Sequence, residues 1–397
     1  MNILVIGNGF DLAHGLPTTY SNFLGFIKVF KKHRVHFNAN GCGYGQFYTE
    51  EKYNMIAESL HSQFVREHEK VCLELLKHIL ISESHYEEYV KLTFCIIGNS
   101  WIEYFLKTIE EDERLGKNWI DFENEIAQVI NGYDEIRRTP SKHSSEFNTS
   151  ERKASSMNRI VEGILKAIGN NADITAESIE EKMQHDLEKL ISCLALYLER
   201  VVLINVENAK LIPVLEKVKI HKVLSFNYTS TYKHLYDISA KCEYDYLHGK
   251  INQDNPLESE LVLGIVEFQE GEERDSDNRF ITYKKFYQRI LKRTGCRYKS
   301  WMHEGYLGED CEVGDYSGVD HKKLFIFGHS LDVTDKDVLS ELILNDNTDT
   351  TIYYHSEYAL GEKIVNMVKV IGQDELISRV HGDNPTIVFK NQNDLEL

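Results

Sequence analysis

The feature that most restricts the fold is the first twenty residues, MNILVIGNGFDLAHGLPTTY. Asn2 to Ile6 is a short apolar, β-branched run, the signature of a strand buried on both faces in a parallel sheet. It stops at Gly7-Asn8-Gly9-Phe10, and Gly15 precedes Leu16-Pro17. Glycines directly after a buried strand let the backbone turn tightly and approach a ligand, because no Cβ intervenes. A helix starting there aims its free N–H groups and its dipole at one point, which makes a cradle for phosphate. The spacing Gly-x-Gly-x5-Gly differs from the dinucleotide fingerprint Gly-x-Gly-x-x-Gly. Taken alone, the motif is equally a ligand-free β-to-α turn.

With 397 residues the chain has room for one large domain with insertions, or for two domains. A net charge of −18 repels a phosphate backbone and argues against broad nucleic-acid binding. The seven cysteines are scattered and form no Cys-x-x-Cys pair, which speaks against a zinc module and a disulfide framework. No basic leader precedes the first strand and no apolar run reaches membrane-spanning length. These observations predict a cytoplasmic α/β protein with no membrane partner.

Beyond Tyr20 the periodicity is helical for almost two hundred residues. Helices are predicted after Tyr20 (Phe23, Ile27, Phe30), over Glu58–Leu80, Glu87–Ile109 and Trp119–Ile130, and over Ser178–Asn205. The aromatic stripe Phe94, Trp101, Tyr104 and Phe105 reads as helix–helix core. Asp121, Glu123 and Glu125 read as an acidic face near a helix start. Loops are predicted at Asn38–Gln46, at Arg137–Ser156 and at Glu270–Asn278. From Lys219 the pattern turns to short β runs: Lys222–Phe226, Tyr244–Leu247, Leu261–Val266, Lys323–Phe327, Thr351–His355 and Thr386–Lys390. A basic amphipathic helix is expected at Ile281–Arg293 and another helix at Ala359–Ile371. Alternating strands and helices predict an open parallel sheet of Rossmann type with helices on both faces. Residues 1–20 and 216–397 would form that domain, with 21–215 a helical insertion after the first strand.

In such a sheet, ligands bind beyond the carboxyl ends of the strands, where the strand order reverses. Four predicted strands end in chemistry-bearing loops: Gly7-Asn8-Gly9, Asn227-Tyr228-Thr229, His248-Gly249 and Gly328-His329-Ser330. Were these strands neighbours, one crevice would receive a glycine turn, an amide, an imidazole and a second glycine loop, a reasonable nucleotide site. Each residue also has a plainer role. Asn227 suits a turn cap and Asp11 a helix N-cap, Tyr228 suits the core, and His248 suits a hydrogen-bonded structural position. Asp332 reads as the cap of LDVTDKDV, while Asp332, Asp335 and Asp337 together admit a divalent metal.

The loop Gly7–Tyr20 resembles the sirtuin nucleotide loop, with Gly7, Gly9, Gly15 and Pro17 on its glycines and proline. Asn227-Tyr228-Thr229 is similar to the sirtuin Asn-Ile-Asp loop, and His248-Gly249 to its His-Gly. Gly328-His329-Ser330-Leu331 is similar to the loop that holds the adenosine ribose. GNGFDLAHGLPTTYSNFL, FNYT, HGK and FGHSLDVTDKDVL together resemble the AbiH family of bacteriophage abortive-infection proteins over nearly the whole chain. The resemblance implies a sirtuin-like core that takes NAD as ligand or substrate, and a role in anti-phage defence by destroying NAD. On that reading Asn227 orients the water or the ribose hydroxyls, His248 is the base as in the sirtuin His-Gly, and Asp11 binds ribose or stabilises developing positive charge. Gly7, Asn8, Gly9, Phe10, Gly15, Pro17, Tyr228, Gly328, His329 and Ser330 would surround the nucleotide. Thr18 and Tyr20 replace the sirtuin Asp and Arg, Thr229 replaces an Asp, and zinc cysteines are missing. Protein deacylation is therefore rejected and NAD glycohydrolysis is expected. The partners this admits are a nucleotide, a phage-derived trigger protein and a homo-oligomer. The rival readings are a nucleotide-sensing module without turnover, and a metal-dependent nuclease using Asp11, Asp332 and Asp335.

Overall fold

The computed structural model describes residues 1–39, 86–114, 121–138, 160, 176–265, 280–303, 321–345 and 347–394. The helix expected at Glu58–Leu80 and the loop expected at Glu270–Asn278 lie outside these residues. So do most of the loops expected at Asn38–Gln46 and Arg137–Ser156. The chain divides into two compact units. One comprises Met1–Pro17, Asn205–Lys250 and Arg293–Leu397, the other Thr18–Ile204 and Ile251–Lys292.

The first unit holds a six-stranded sheet: β1 (Asn2–Ile6), β2 (Lys222–Ser225), β3 (Glu243–Tyr246), β4 (Lys322–Phe327), β5 (Thr348–Tyr354) and β6 (Ile387–Asn391). All pairings are parallel and the order is β3-β2-β1-β4-β5-β6. This is the α/β, Rossmann-like architecture expected from the strand pattern. β1 is central, with Ile3 to Ile6 buried, because its side chains alternate between two apolar layers. Ile3 and Val5 pack with Leu224, Leu324, Ile326, Trp301 and the helix Lys336–Ile343. Leu4 and Ile6 pack on the opposite side with Val223, Phe327, Tyr353 and Phe10. The order reverses at β1: β2 and β3 lie to one side, β4 to β6 to the other. The loops after β1 and β4 therefore flank the switch point.

The second unit is helical, with Tyr20–Ala39, Tyr86–Ile96, Ser100–Arg114, Phe122–Arg138 and Ala176–Tyr197 as its longer helices. Phe23, Phe26, Trp101, Phe105 and Phe122 are fully buried. Phe122 stacks on Tyr20 at 4.1 Å and on Phe105 at 4.0 Å between ring centres. Trp101, Tyr104 and Phe105 are core as predicted, whereas Phe94 is 65% exposed. The acidic cluster is spoken for. Asp121 accepts the N–H groups of Glu123 and Asn124, Glu123 pairs with Lys285 at 2.8 Å, and Glu125 accepts from Tyr104.

Three predicted elements differ. The single helix expected over Glu87–Ile109 is two, because the chain passes through Gly98 at φ 63° and restarts at Ser100. Asp186, fully buried, captures that restart by accepting from the Ser100 N–H and hydroxyl at 2.8 Å, and it pairs with Lys182. Leu261–Val266 forms no strand over its described residues, 261–265. The Gln288 amide instead accepts from Leu263 N–H and donates to Leu263 C=O, doing for one residue what a neighbouring strand would do. Ile281–Arg293 is not one helix. A 3-10 turn at Ile281–Tyr283 and a helix at Lys285–Leu291 are separated by Lys284 in extended conformation. Among the described residues, no helix is long and apolar enough to cross a membrane.

Asp186→Ala strips the helix start of its acceptor and leaves Lys182 without its carboxylate. The expected loss is about 3 kcal/mol, against about 1 kcal/mol for Ser100→Ala, read from urea denaturation midpoints.

Candidate functional site

The loops after β1, β2 and β4 are hydrogen-bonded to one another, and the β3 loop meets the segment after β4. Gly9 N–H donates to Gly328 O at 2.8 Å, and Gly7 N–H to Phe327 O at 3.3 Å. A Cβ on Gly9 would lie 2.7 Å from Gly328 O, and one on Gly7 would lie 2.8 Å from the Cα of His329. Gly328 itself has φ +66°, and a Cβ there would lie 2.0 Å from Phe10 N. The glycines are thus demanded by close packing of two backbones. The N–H groups of Gly7, Gly9 and Phe10 are all engaged within the protein, Phe10 N–H donating to Gly7 O at 2.8 Å. Gly15 differs: it ends the helix Asn8–Ala13 at φ +78° in open space.

The β2 loop is bound to the same turn. Asn227 donates its side-chain amide to Gly7 O at 3.0 Å, and its own backbone is locked by Ser225, whose hydroxyl bonds both Asn227 N–H and C=O. Thr229 donates to Asp11 Oδ2 at 2.6 Å. Asp11 is therefore not the N-cap. That position is Gly7, and the Asp11 carboxyl, 1% exposed, ties the first helix to the β2 loop. Its Oδ1 has no partner. Burial pushes the Asp11 carboxyl up to about 6, against the pull of hydrogen bonds from Thr229 and Thr231. Tyr246, at the end of β3, is pushed up by its own burial and then by the Asp11 charge.

On the β3 and β4 side, two imidazoles face one carboxylate. His248 Nε2 lies 3.7 Å from Asp335 Oδ1, and His329 Nε2 lies 3.5 Å from Asp335 Oδ2. Phe226 stands edge-on to both rings, at 5.6 Å from His248 and 4.2 Å from His329. Leu331 N–H donates to His329 Nδ1 at 2.9 Å, which fixes the neutral ring with its proton on Nε2. Asp332 accepts from Thr334 N–H, the cap predicted from sequence. Among the described residues no group of three or more His, Cys, Asp or Glu could hold a metal ion.

The remaining predicted residues divide. Asn8 and Ser330 are exposed, and Pro17 and Tyr228 are half-buried. Phe10 is fully buried among His14, Tyr232, Tyr236 and Phe327, so its ring packs in the core. Several contributors went unread in the sequence. His14 donates through Nδ1 to Phe10 O and accepts at Nε2 from the Tyr236 hydroxyl, which accepts from Ile212 N–H. Burial holds its imidazole below the ordinary value. Lys363 donates to His329 O at 2.5 Å and Asn366 to Ser330 O at 3.0 Å, so the helix Glu357–Ile371 holds the β4 loop. Burial lowers the Lys363 ammonium to about 8. The only sequence signal for this pair is its position, one turn apart, on the helix after β5.

The family model described as "Bacteriophage abortive infection AbiH" matches residues 3–355. Neither the curated proteins nor the solved structures yield a match.

Gly328→Ala meets both a backbone clash and a left-handed φ. It should cost about 2 kcal/mol or more in a denaturant melt, whereas Gly361→Ala, in open helical space, should gain roughly 0.5–1 kcal/mol. Asp11 gives a pH signature. Its folded value lies above the unfolded 3.8, so the folded state retains its proton between about pH 4 and pH 6. Wild-type stability relative to Asp11→Asn should fall across that window, by roughly 2–3 kcal/mol in all, and stay level above it.

Proposed function

The chain belongs to the AbiH family of bacteriophage abortive-infection proteins, and from that premise we propose that its sheet domain binds NAD and hydrolyses it to nicotinamide and ADP-ribose in a triggered anti-phage response. The observation that carries the reading is the convergence of four strand-end loops at the switch point, three of them hydrogen-bonded together and the fourth bringing His248 to 3.7 Å from Asp335; open parallel sheets take nucleotides at this position. The resemblance of Gly7–Tyr20, Asn227–Thr229, His248-Gly249 and Gly328–Leu331 to the sirtuin loops supports the choice of ligand.

In this reading the nucleotide lies beside Asn8, Tyr228 and Ser330. The donor set suits it: an exposed loop between two glycines, an amide, and imidazoles backed by a carboxylate. Cleavage of a bond to ribose passes through an oxocarbenium-like centre, which needs an oriented water, a base and exclusion of bulk solvent. His248 is the base, since an imidazole exchanges its proton near neutral pH. Asn227, its amide oxygen still an acceptor, orients the water or the ribose hydroxyls. Asp11 holds the geometry of the two loops and supplies negative charge once ionised. The domain division, the cytoplasmic setting, a phage trigger and a homo-oligomer belong to the same proposal.

One observation favours a second reading, nucleotide sensing without turnover. The amides of Gly7, Gly9 and Phe10 and the Asn227 side chain already serve the fold, which leaves fewer groups to act on a ligand.

Incubation of the purified protein with NAD, with and without phage lysate, separates the two. Nicotinamide release is expected, reduced at least about 100-fold in His248→Ala and about tenfold in Asn227→Ala. Equal release by wild type and both variants would remove the site. Binding of NAD without release under any phage challenge would select the sensing module.

A further inference from the structure

The arrangement of His248, Asp335 and His329 is not required by the sheet, and the predicted metal and capping roles of the LDVTDKDV segment do not account for it. The two rings come from loops after different strands, β3 and β4, yet both present Nε2 to the same carboxylate. His248 and His329 are buried, and the Asp335 side chain is only 12% exposed. A carboxylate so enclosed is costly unless it is paired, and two imidazoles are among the groups set against it. The backbone fixes one of them: Leu331 N–H occupies His329 Nδ1, so His329 turns an N–H toward Asp335. Lys363, on the helix Glu357–Ile371, donates to the His329 carbonyl. Phe226 closes the cluster from the side and keeps both rings from tilting away. The segment that carries Asp335 is itself fixed by the Asp332 cap, so the carboxylate is held in place.

We propose that Asp335 is a positioning residue: its carboxylate orients the His248 ring, favours the Nε2–H form of that ring, and stabilises the imidazolium that forms when His248 accepts a proton. The proposal rests on the reading of His248 as the base. It follows the logic by which a buried carboxylate orients and charges a catalytic imidazole, here with one carboxylate serving two rings. No bond to Asp335 forms or breaks. The proton taken by His248 stays on that ring and is not passed to Asp335.

The test has two arms, so that failure of the positioning and failure of the hydrolase reading are told apart. In the first, full-length protein carrying 15N-labelled histidine is titrated by NMR, with the two rings assigned from His248→Gln and His329→Gln spectra. The wild type should show both neutral rings protonated on Nε2. In Asp335→Asn the titration midpoint of His248 should fall by about one pH unit, a tenfold loss in proton affinity, and Asp335→Glu should recover most of it. A wild-type His248 protonated on Nδ1, or a midpoint unchanged in a folded Asp335→Asn, would overturn the proposal. Should Asp335→Asn fail to fold, the wild-type tautomer and the Glu variant decide. In the second arm, the acid limb of nicotinamide release against pH should move down with the same midpoint in Asp335→Asn. A wild type that never releases nicotinamide sinks the hydrolase reading, and the first arm then still decides whether Asp335 holds the ring.

Discussion

The contact on which the rest depends is the meeting of two backbones, at Gly7–Phe10 and Gly328–His329. Three missing side chains make it possible, and the Gly9 N–H to Gly328 O bond closes it. Because β1 and β4 are adjacent at the point of strand reversal, their loops must either diverge or interlock. Here they interlock, which spends the amides that a phosphate turn would offer but brings the β4 loop, with His329 and Asp335, against the rest of the cluster. A larger residue at Gly9 or Gly328 would move both loops together.

Polar groups then fasten the remaining loops to this pair. Asn227 reaches Gly7, Thr229 reaches Asp11, and His248 meets Asp335. The first two are buried hydrogen bonds between segments far apart in sequence, so loss of one partner leaves a desolvated group behind; the third is a 3.7 Å approach of ring to carboxylate. Asp11 carries that cost most visibly, with one oxygen bonded and the other without a partner. A single orphaned carboxylate oxygen is thus the polar group that this cluster leaves unsatisfied among the described residues.

The sheet was legible because its strands are short, apolar and punctuated by glycine, asparagine or histidine. All six lie within a few residues of their predicted positions. The strand order was not legible as such, but four loops of matching character pointed to neighbouring strands. What failed did so for local reasons. Leu261–Val266 has strand composition, yet over residues 261–265 its backbone is met by Gln288, by Lys292 and by the Tyr283–Lys285 backbone instead of by a strand. The long helix breaks at Gly98, where a distant aspartate makes a new start affordable. Phe10 sits inside the glycine motif yet belongs to the core, and no pattern in one sequence separates the two. Lys363 and Asn366 read as ordinary helix positions, because their partners are carbonyls of a loop about 35 residues earlier.

The central claim is that these four loops form one nucleotide-binding mouth, and amide hydrogen exchange with and without NAD tests it most directly. The account predicts slowed exchange in four segments together, around residues 7–17, 226–231, 247–250 and 328–335, with the helical unit unchanged. Exchange unaltered in all four at saturating NAD, or protection confined to the helical unit, would contradict it.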